Sequence, residues 1–248
     1  MDGWARAELA LHLFAQNPAR IGGVVVRLRA GPARDRVRIW LQAHLDTVCI
    51  SPSISDDQLY GGIDLSAALA HGRLIQTQGL LHPGKTVILT MAERCEPHLA
   101  AKLAHALEQR QIAGLIALDE GADEDERCPD VLAQHLALHI APEGRMSDDW
   151  LTRTSGGDKT NEPEKLFNKI NAVPAGTVKI DPNHLSDLTE LAARFGIDSL
   201  RAPLLAAVVA KAHAGLCGRD QTNFTDIETA AALVFPQRAT QLPDRQDA

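Results

Sequence analysis

Aromatic side chains are scarce in this sequence: one Tyr, five Phe and three Trp make up 4% of 248 residues. A core is still available, because 45% of the residues are apolar. It must be built from Leu, Val, Ile and Ala, which suits helices packed on a sheet better than a β-sandwich. Basic excess is also missing. The net charge is −7, which leaves no electrostatic footprint for nucleic acid. No apolar run approaches the roughly 18 residues of a membrane helix. The first residues mix Asp2, Arg6 and Glu8 into an apolar background and do not read as a signal peptide. The four cysteines, Cys49, Cys95, Cys128 and Cys217, form no C-x-x-C pair and no zinc spacing, so they read as reduced thiols of a cytoplasmic protein. His98 and His105, seven apart, read as solvated surface rather than metal ligands, and no metal site is expected.

What is there alternates. Residues 22–28 are rich in Val and read as a buried strand. Strands are also expected at 47–50, 87–91, 114–118 and 136–140. Helices are expected at 35–45, at 64–70 with Leu65 and Leu69 on one face, and at 96–111. In the last of these Pro97 fits the first position and Leu99, Leu103 and Leu107 form a stripe. Alternating strands and helices imply an α/β unit over residues 1–143, a mostly parallel sheet with helices on both faces. Residues 144–180 are rich in Gly, Ser, Asp, Asn and Lys. They read as a polar insertion or hinge, with a small ordered subdomain as the alternative.

Residues 181–241 read as a helical unit. Leu185, Leu188, Leu191, Ala192 and Phe195 share a face of its first helix, which Gly196 stops. Ser199 is positioned to cap a second helix carrying Leu204, Leu205, Val208 and Val209. Thr225 and Glu228 have capping-box spacing for a third, which Pro236 ends. Residues 242–248 look like the start of a linker.

Two segments match nucleotide motifs. Gly79-Leu80-Leu81-His82-Pro83-Gly84-Lys85-Thr86 fits the P-loop pattern G-x-x-x-x-G-K-[ST], and Leu115-Ile116-Ala117-Leu118-Asp119-Glu120 is an apolar strand ending in Asp-Glu. A P-loop works because it opens a helix whose first amides cradle phosphate. Here Val87-Ile88-Leu89-Thr90 follows Thr86, which is a strand signature. An active ATPase using Gly79, Gly84, Lys85 and Thr86 is therefore the runner-up reading. Without that partner, Asp119-Glu120 reads as the opening of a solvated acidic loop.

A better placed loop follows the first strand: Leu28-Arg29-Ala30-Gly31-Pro32-Ala33-Arg34-Asp35-Arg36, which enters a helix. Its chemistry departs from the pattern. Ala33 stands for the second glycine, Arg34 for the lysine, and Asp35 for the Mg²⁺-binding Ser or Thr. A carboxylate there repels the phosphates a hydroxyl would help to place.

The run Asn17-Pro18-Ala19-Arg20-Ile21-Gly22-Gly23-Val24-Val25-Val26 before this loop resembles the AAA+ subunits of magnesium chelatase. So do Leu59-Tyr60-Gly61-Gly62-Ile63-Asp64-Leu65-Ser66-Ala67-Ala68-Leu69, Gly72-Arg73 and Gly79-Leu80-Leu81. Met91-Ala92-Glu93-Arg94-Cys95, Gly196-Ile197-Asp198-Ser199-Leu200-Arg201-Ala202-Pro203-Leu204 and Arg238-Ala239-Thr240-Gln241-Leu242-Pro243 resemble the D-type of these subunits rather than the I-type.

The resemblance implies an AAA+ core followed by a helical lid, with residues 87–93 in the Walker B position. There Glu93 is a displaced remnant of the family's Asp-Glu pair. It also implies a degenerate nucleotide pocket of Gly31, Arg34, Asp35, Glu93 and Arg201, the last as a sensor arginine. Arg127 falls one residue from an arginine finger that would act in trans, and Gln134-His135 replaces the family's Asp-Arg.

The implied function is that of a platform with little or no ATP hydrolysis of its own. It would support the ATP- and Mg²⁺-dependent insertion of Mg²⁺ into protoporphyrin IX, for chlorophyll or bacteriochlorophyll, by a ligase that forms a nitrogen–metal bond. The implied partners are the ATP-hydrolysing I-type ring of magnesium chelatase, its porphyrin-binding H-type component and further copies of this chain in a ring. The integrin-I domain with which the family continues is not expected in these 248 residues.

Overall fold

The computed structural model of the chain describes residues 3–63, 69, 72–73, 76–123, 125–142 and 174–241. The expected helix at 64–70, apart from Leu69, lies outside the described residues. So do most of the expected insertion at 144–180 and the linker at 242–248.

Five strands form one parallel sheet: β1 (Gly23–Arg27), β2 (Thr47–Ile50), β5 (Thr86–Leu89), β6 (Gly114–Asp119) and β7 (Leu138–Ile140), in the order β2-β5-β6-β1-β7. A short antiparallel pair, β3 (Gly61–Ile63) with β4 (Gln76–Gln78), stands apart from it. The sequence pattern did not reveal this pair, because three residues without alternation carry no strand signal.

Successive residues of the inner strands enter two different cores, as period-2 geometry requires. Val24, Val26, Ile88, Ile116 and Leu118 face one side. There they meet α1 (Gly3–Gln16), α3 (Pro32–His44) and the C-terminal helices. Val25, Val87, Leu89, Leu115 and Ala117 face the other, under α4 (Asp56–Tyr60), α5 (Pro97–Glu108) and α6 (Asp130–Ala133). Every residue of β6 is buried, which is why its sequence is continuously apolar rather than alternating. Between α1 and β1, α2 (Pro18–Ile21) sets the entry to the sheet.

One helix end of the core differs from expectation. α5 stops at Glu108, not residue 111, because Arg110 takes a left-handed conformation (φ 53) and the Gln111 amide reaches back to Ala106 O at 2.9 Å. That closure usually falls to glycine, so an arginine there gave no sign.

The lid comprises α7 (Pro182–Arg194), α8 (Arg201–Leu216) and α9 (Phe224–Val234), packed on α1, α2 and β7. Gly196 (φ 65) ends α7, as its position predicted. Ser199 does not cap α8 with its side chain. Leu200 is the capping residue, and the Ser199 carbonyl instead accepts from the Ala202 amide at 3.1 Å. The capping box of α9 is Asn223 with Asp226, not Thr225 with Glu228, because the helix starts at Phe224 and Thr225 is already inside it. Asn223 Oδ1 accepts from the Asp226 amide at 3.1 Å, and Asp226 Oδ2 accepts from the Asn223 amide at 2.8 Å.

Arg238 joins lid to core. Its guanidinium donates to Val234 O and Leu136 O, each at 2.6 Å, and to Ala137 O at 3.4 Å. Burial pulls the guanidinium down to about 10. Burial and the charge of Arg238 push the neighbouring His139 down to about 4.

Asp226 is fully buried and holds the α8–α9 turn. Its carboxylate accepts from Arg219 Nη1 at 2.5 Å, Arg219 Nη2 at 2.7 Å and His213 Nδ1 at 2.6 Å. Burial alone would raise this carboxyl. The bonds from Arg219, the Asn223 amide and His213 outweigh burial and hold it below its ordinary value. A depressed folded-state value means that the network stabilises the lid above the ordinary carboxylate range near ~4 and is lost as pH falls through the lower folded value. We expect Asp226→Ala to lower stability by about 3 kcal/mol at pH 7, read as a shifted urea midpoint, because Arg219 and His213 lose their acceptor. The difference between the two proteins should shrink at acid pH; a constant difference would argue against the carboxylate as the cause.

Candidate phosphate-loop site

Open parallel sheets place ligands outside the carboxyl ends of their strands. At that end β1 delivers Arg27, the chain turns, and α3 opens at Pro32 with Gly31 as its capping residue. The helix start offers few free amides. Pro32 has no N–H, and the Asp35 amide is already bonded to Gly31 O at 3.1 Å.

Arg34 stands in the third position of α3 and does not point to solvent. Nη1 pairs with Glu120 Oε1, and Nη2 donates to Asp35 Oδ1 at 2.9 Å. Burial works against its charge, but the bonds to Asp35 and Glu120 more than compensate and raise its pKa. Glu120 is in turn held from behind: its amide donates to Glu93 Oε2 at 2.9 Å. Glu93 is only 6% exposed and sits in the 3-10 turn Ala92–Arg94 that follows β5.

The acidic segment after β6 is solvated over most of its described length, as its composition suggests, with Ala122, Asp123, Asp125 and Glu126 exposed, but its first residues are not. Asp119 is 2% exposed. It faces Arg27 in the β1–β6 register and accepts from the Gly121 amide at 3.0 Å and the Cys128 amide at 2.9 Å. These backbone bonds anchor the two ends of the loop at the strand end, so composition misjudged Asp119 and Glu120 alone.

Gly31, Arg34, Asp35 and Glu93 thus belong to one cluster. Arg201 does not. It lies at the opposite, amino-terminal end of the strands, beside Gly22, Ala113 and Pro83. There it donates to Glu108 Oε1 at 2.9 Å and to His135 Nδ1 at 2.7 Å. The Arg201 bond is the main cause that lowers the Glu108 carboxyl, and burial followed by Arg201 lowers His135. Grouping Arg201 with Arg34 in one pocket of one protomer is corrected by this placement: motif order along the chain does not reveal which end of the sheet a lid helix meets. Arg127 borders a cavity of about 190 Å³ beside Arg27, Asp119 and Cys128, and its side chain is 61% exposed and paired with Asp130 at 3.4 Å.

The runner-up P-loop is built differently from a phosphate loop. Residues His82 to Lys85 form a turn closed by Lys85 N to His82 O at 2.9 Å, and Thr86 begins the buried strand β5. No helix starts at Lys85. Its ammonium pairs with Asp46 at 2.8 Å on the surface. Gly79 lies against the backbone of Tyr60 and Gly61, where a Cβ would collide.

Burial pushes the thiols of Cys95 and Cys128 up to about 11 and about 12, so neither is a nucleophile. Among the described residues no His, Cys, Asp and Glu side chains gather as a metal-binding group, and no helix is long and apolar enough to cross a membrane.

Sequence reasoning missed Arg27, Arg29 and Glu120 as members of the cluster. Their one signal is opposite charge, arginines at 27, 29 and 34 against an acidic run from 119 to 126. The pairing needs the β1–β6 register to become visible.

Known proteins share this architecture. The AAA lid domain family matches residues 185–248. The chain is 40% identical over 95% of its length to the magnesium-chelatase 60 kDa subunit of Cereibacter sphaeroides, and 34% identical over 96% to that of Rhodobacter capsulatus. The chain is thus similar to the magnesium-chelatase 60 kDa subunits of these two bacteria. It spans 41% and 42% of the length of these two proteins. Solved structures support the AAA-type fold: a Cytophaga hutchinsonii protein described as an ATPase (TM-score 0.65, 14% identity, 96% of this chain and 83% of that one) and an MCM homolog of Methanopyrus kandleri (TM-score 0.62, 17% identity, 97% and 57%).

Gly79 and Lys85 separate packing from phosphate chemistry. We expect Gly79→Ala to destabilise the chain by about 1–3 kcal/mol through the backbone collision. Lys85→Ala should change stability by less than about 1 kcal/mol, because an exposed ion pair contributes little. Denaturant midpoints of both variants check this; a larger effect from Lys85→Ala would contradict the surface assignment.

Proposed function

We propose that this chain is a non-hydrolysing AAA+ platform of a magnesium chelatase. It works in the cytoplasm alongside the I-type ring, which hydrolyses ATP, and the H-type component, which binds the porphyrin. The complex inserts Mg²⁺ into protoporphyrin IX at the expense of ATP, in chlorophyll or bacteriochlorophyll synthesis. The relatives in two purple bacteria favour the bacteriochlorophyll branch.

One observation carries the non-hydrolysing reading: Arg34, in the place of the phosphate-loop lysine, is paired with Glu120 and Asp35. A magnesium triphosphate does not fit these residues. Asp35 adds negative charge where a hydroxyl is needed, Arg34 already has its anions, and Glu93 is bonded to a backbone amide rather than free to polarise water. In this reading the chain transmits ring movements generated elsewhere. Arg201 and Arg127 lie away from the Arg34 cluster or open to solvent, so each would address a phosphate held by a neighbouring protomer in a ring. An arginine acting in trans in that way can supply charge-assisted bonds to the transferred phosphoryl.

The test is ATP turnover by the purified chain, alone and with the I-type ring protein. The expected result is no turnover alone and no change on Lys85→Ala. In a reconstituted chelatase, Arg201→Ala should lower Mg²⁺ insertion. Robust turnover by the chain alone that disappears with Lys85→Ala would overturn the proposal.

A further inference from the structure

The phosphate position of this chain is not simply degraded. Three arginines, at the end of β1, in the turn after it and in the first turn of α3, all reach a single loop. Arg27 Nη2 donates to Asp123 O at 2.6 Å, Arg29 Nη2 approaches Ala122 O at 3.5 Å, and Arg34 Nη1 pairs with Glu120. The loop is braced from its far side. Glu93 accepts the Glu120 amide, Asp119 accepts the amides of Gly121 and Cys128, and Glu126 accepts the Ala122 amide at 3.3 Å. Gly121 permits the tight return, since a Cβ there would strike Glu126 O.

The ion pair is sheltered. Arg34 and Glu120 side chains are 21% and 16% exposed, so both have given up most of their water. A pair of this kind is costly to break by removing one partner, because the other stays behind unmatched. The Nε groups of Arg34 and Arg38 are buried and unbonded. These two unbonded donors remain available only if a carboxylate leaves the cluster.

We propose that the loop after β6 is a built-in occupant of the phosphate seat, with the Glu120 carboxylate standing where a phosphoryl group would sit. The loop holds the strand ends, the Glu93 turn and the start of α3 in one arrangement that needs no nucleotide. Removing the carboxylate exposes a latent site for a phosphate-bearing anion, because the arginines remain and of Arg34's two carboxylate partners only Asp35 is left. This rests on the reading above only in placing the seat. It concerns anion binding rather than turnover, so the two can fail separately.

The experiment titrates inorganic pyrophosphate into the full chain by calorimetry and follows thermal melting in parallel. Wild type is expected to bind no pyrophosphate at millimolar concentration. Glu120→Ala should bind at least about tenfold more tightly than wild type, since a like charge beside an anion costs several kcal/mol. Pyrophosphate should raise the melting temperature of Glu120→Ala and not that of wild type. The gain should vanish in Glu120→Ala/Arg34→Ala. If Glu120→Ala does not fold, Glu120→Gln keeps the size and hydrogen bonding while removing the charge, and the same gain is expected from it. Equal binding by wild type and the charge-removed variant, or a gain that survives loss of Arg34, would overturn the proposal. If wild type turns over ATP yet pyrophosphate binding still depends on Glu120, the non-hydrolysing reading falls and this one stands.

Discussion

A parallel sheet cannot leave a face to water, because its strands are joined by helices that cross over and cover both sides. The five-stranded sheet of this chain obeys that constraint with unusually small side chains. Val, Ile, Leu and Ala alternate between two cores, and the single-residue alternation of β1, β5 and β6 decides which helix meets which face. Everything at the strand ends follows from it. With the register set by two buried faces, Arg27 must lie opposite Asp119, and the loops after β1, β5 and β6 must converge.

That convergence would serve nucleotide chemistry if the residues were different. The loop after β1 enters a helix at the carboxyl end of the sheet, with Glu93 and Glu120 across from it, and its charges face one another. A cation and several carboxylates meet each other instead of meeting a ligand and a metal. The scaffold's fold and its site chemistry are separable: helix and strand placement depends on apolar pattern, whereas Arg34 is satisfied by Asp35 and Glu120, and Glu93 by the Glu120 amide.

Much of this could be read from the chain. The strands appeared as short β-branched runs, α5 as a stripe behind a proline, and the absence of a helix after Thr86 as Val-Ile-Leu-Thr. Arg34 and Asp35 showed as departures at a recognisable loop. Pairings between distant residues were hidden. Nothing local links Glu120 to Arg34 across 86 positions, and a run of acids reads as solvated until a sheet register brings arginines against it. The same gap misplaced Arg201, whose surroundings depend on how the lid packs. The cap positions of α8 and α9 were missed because several polar residues near each start were equally suitable by spacing, and only backbone geometry chooses between them.

Arg238 has a mechanical consequence. Among the described residues no carboxylate balances its guanidinium, which depends on carbonyls from both the lid and the turn before β7. Planar donors tolerate only small changes in angle, and each carbonyl stranded away from water costs on the order of 1–3 kcal/mol. A swing of the lid against the sheet would break several such bonds together. The joint therefore resists a change of angle between the lid helices and the turn before β7.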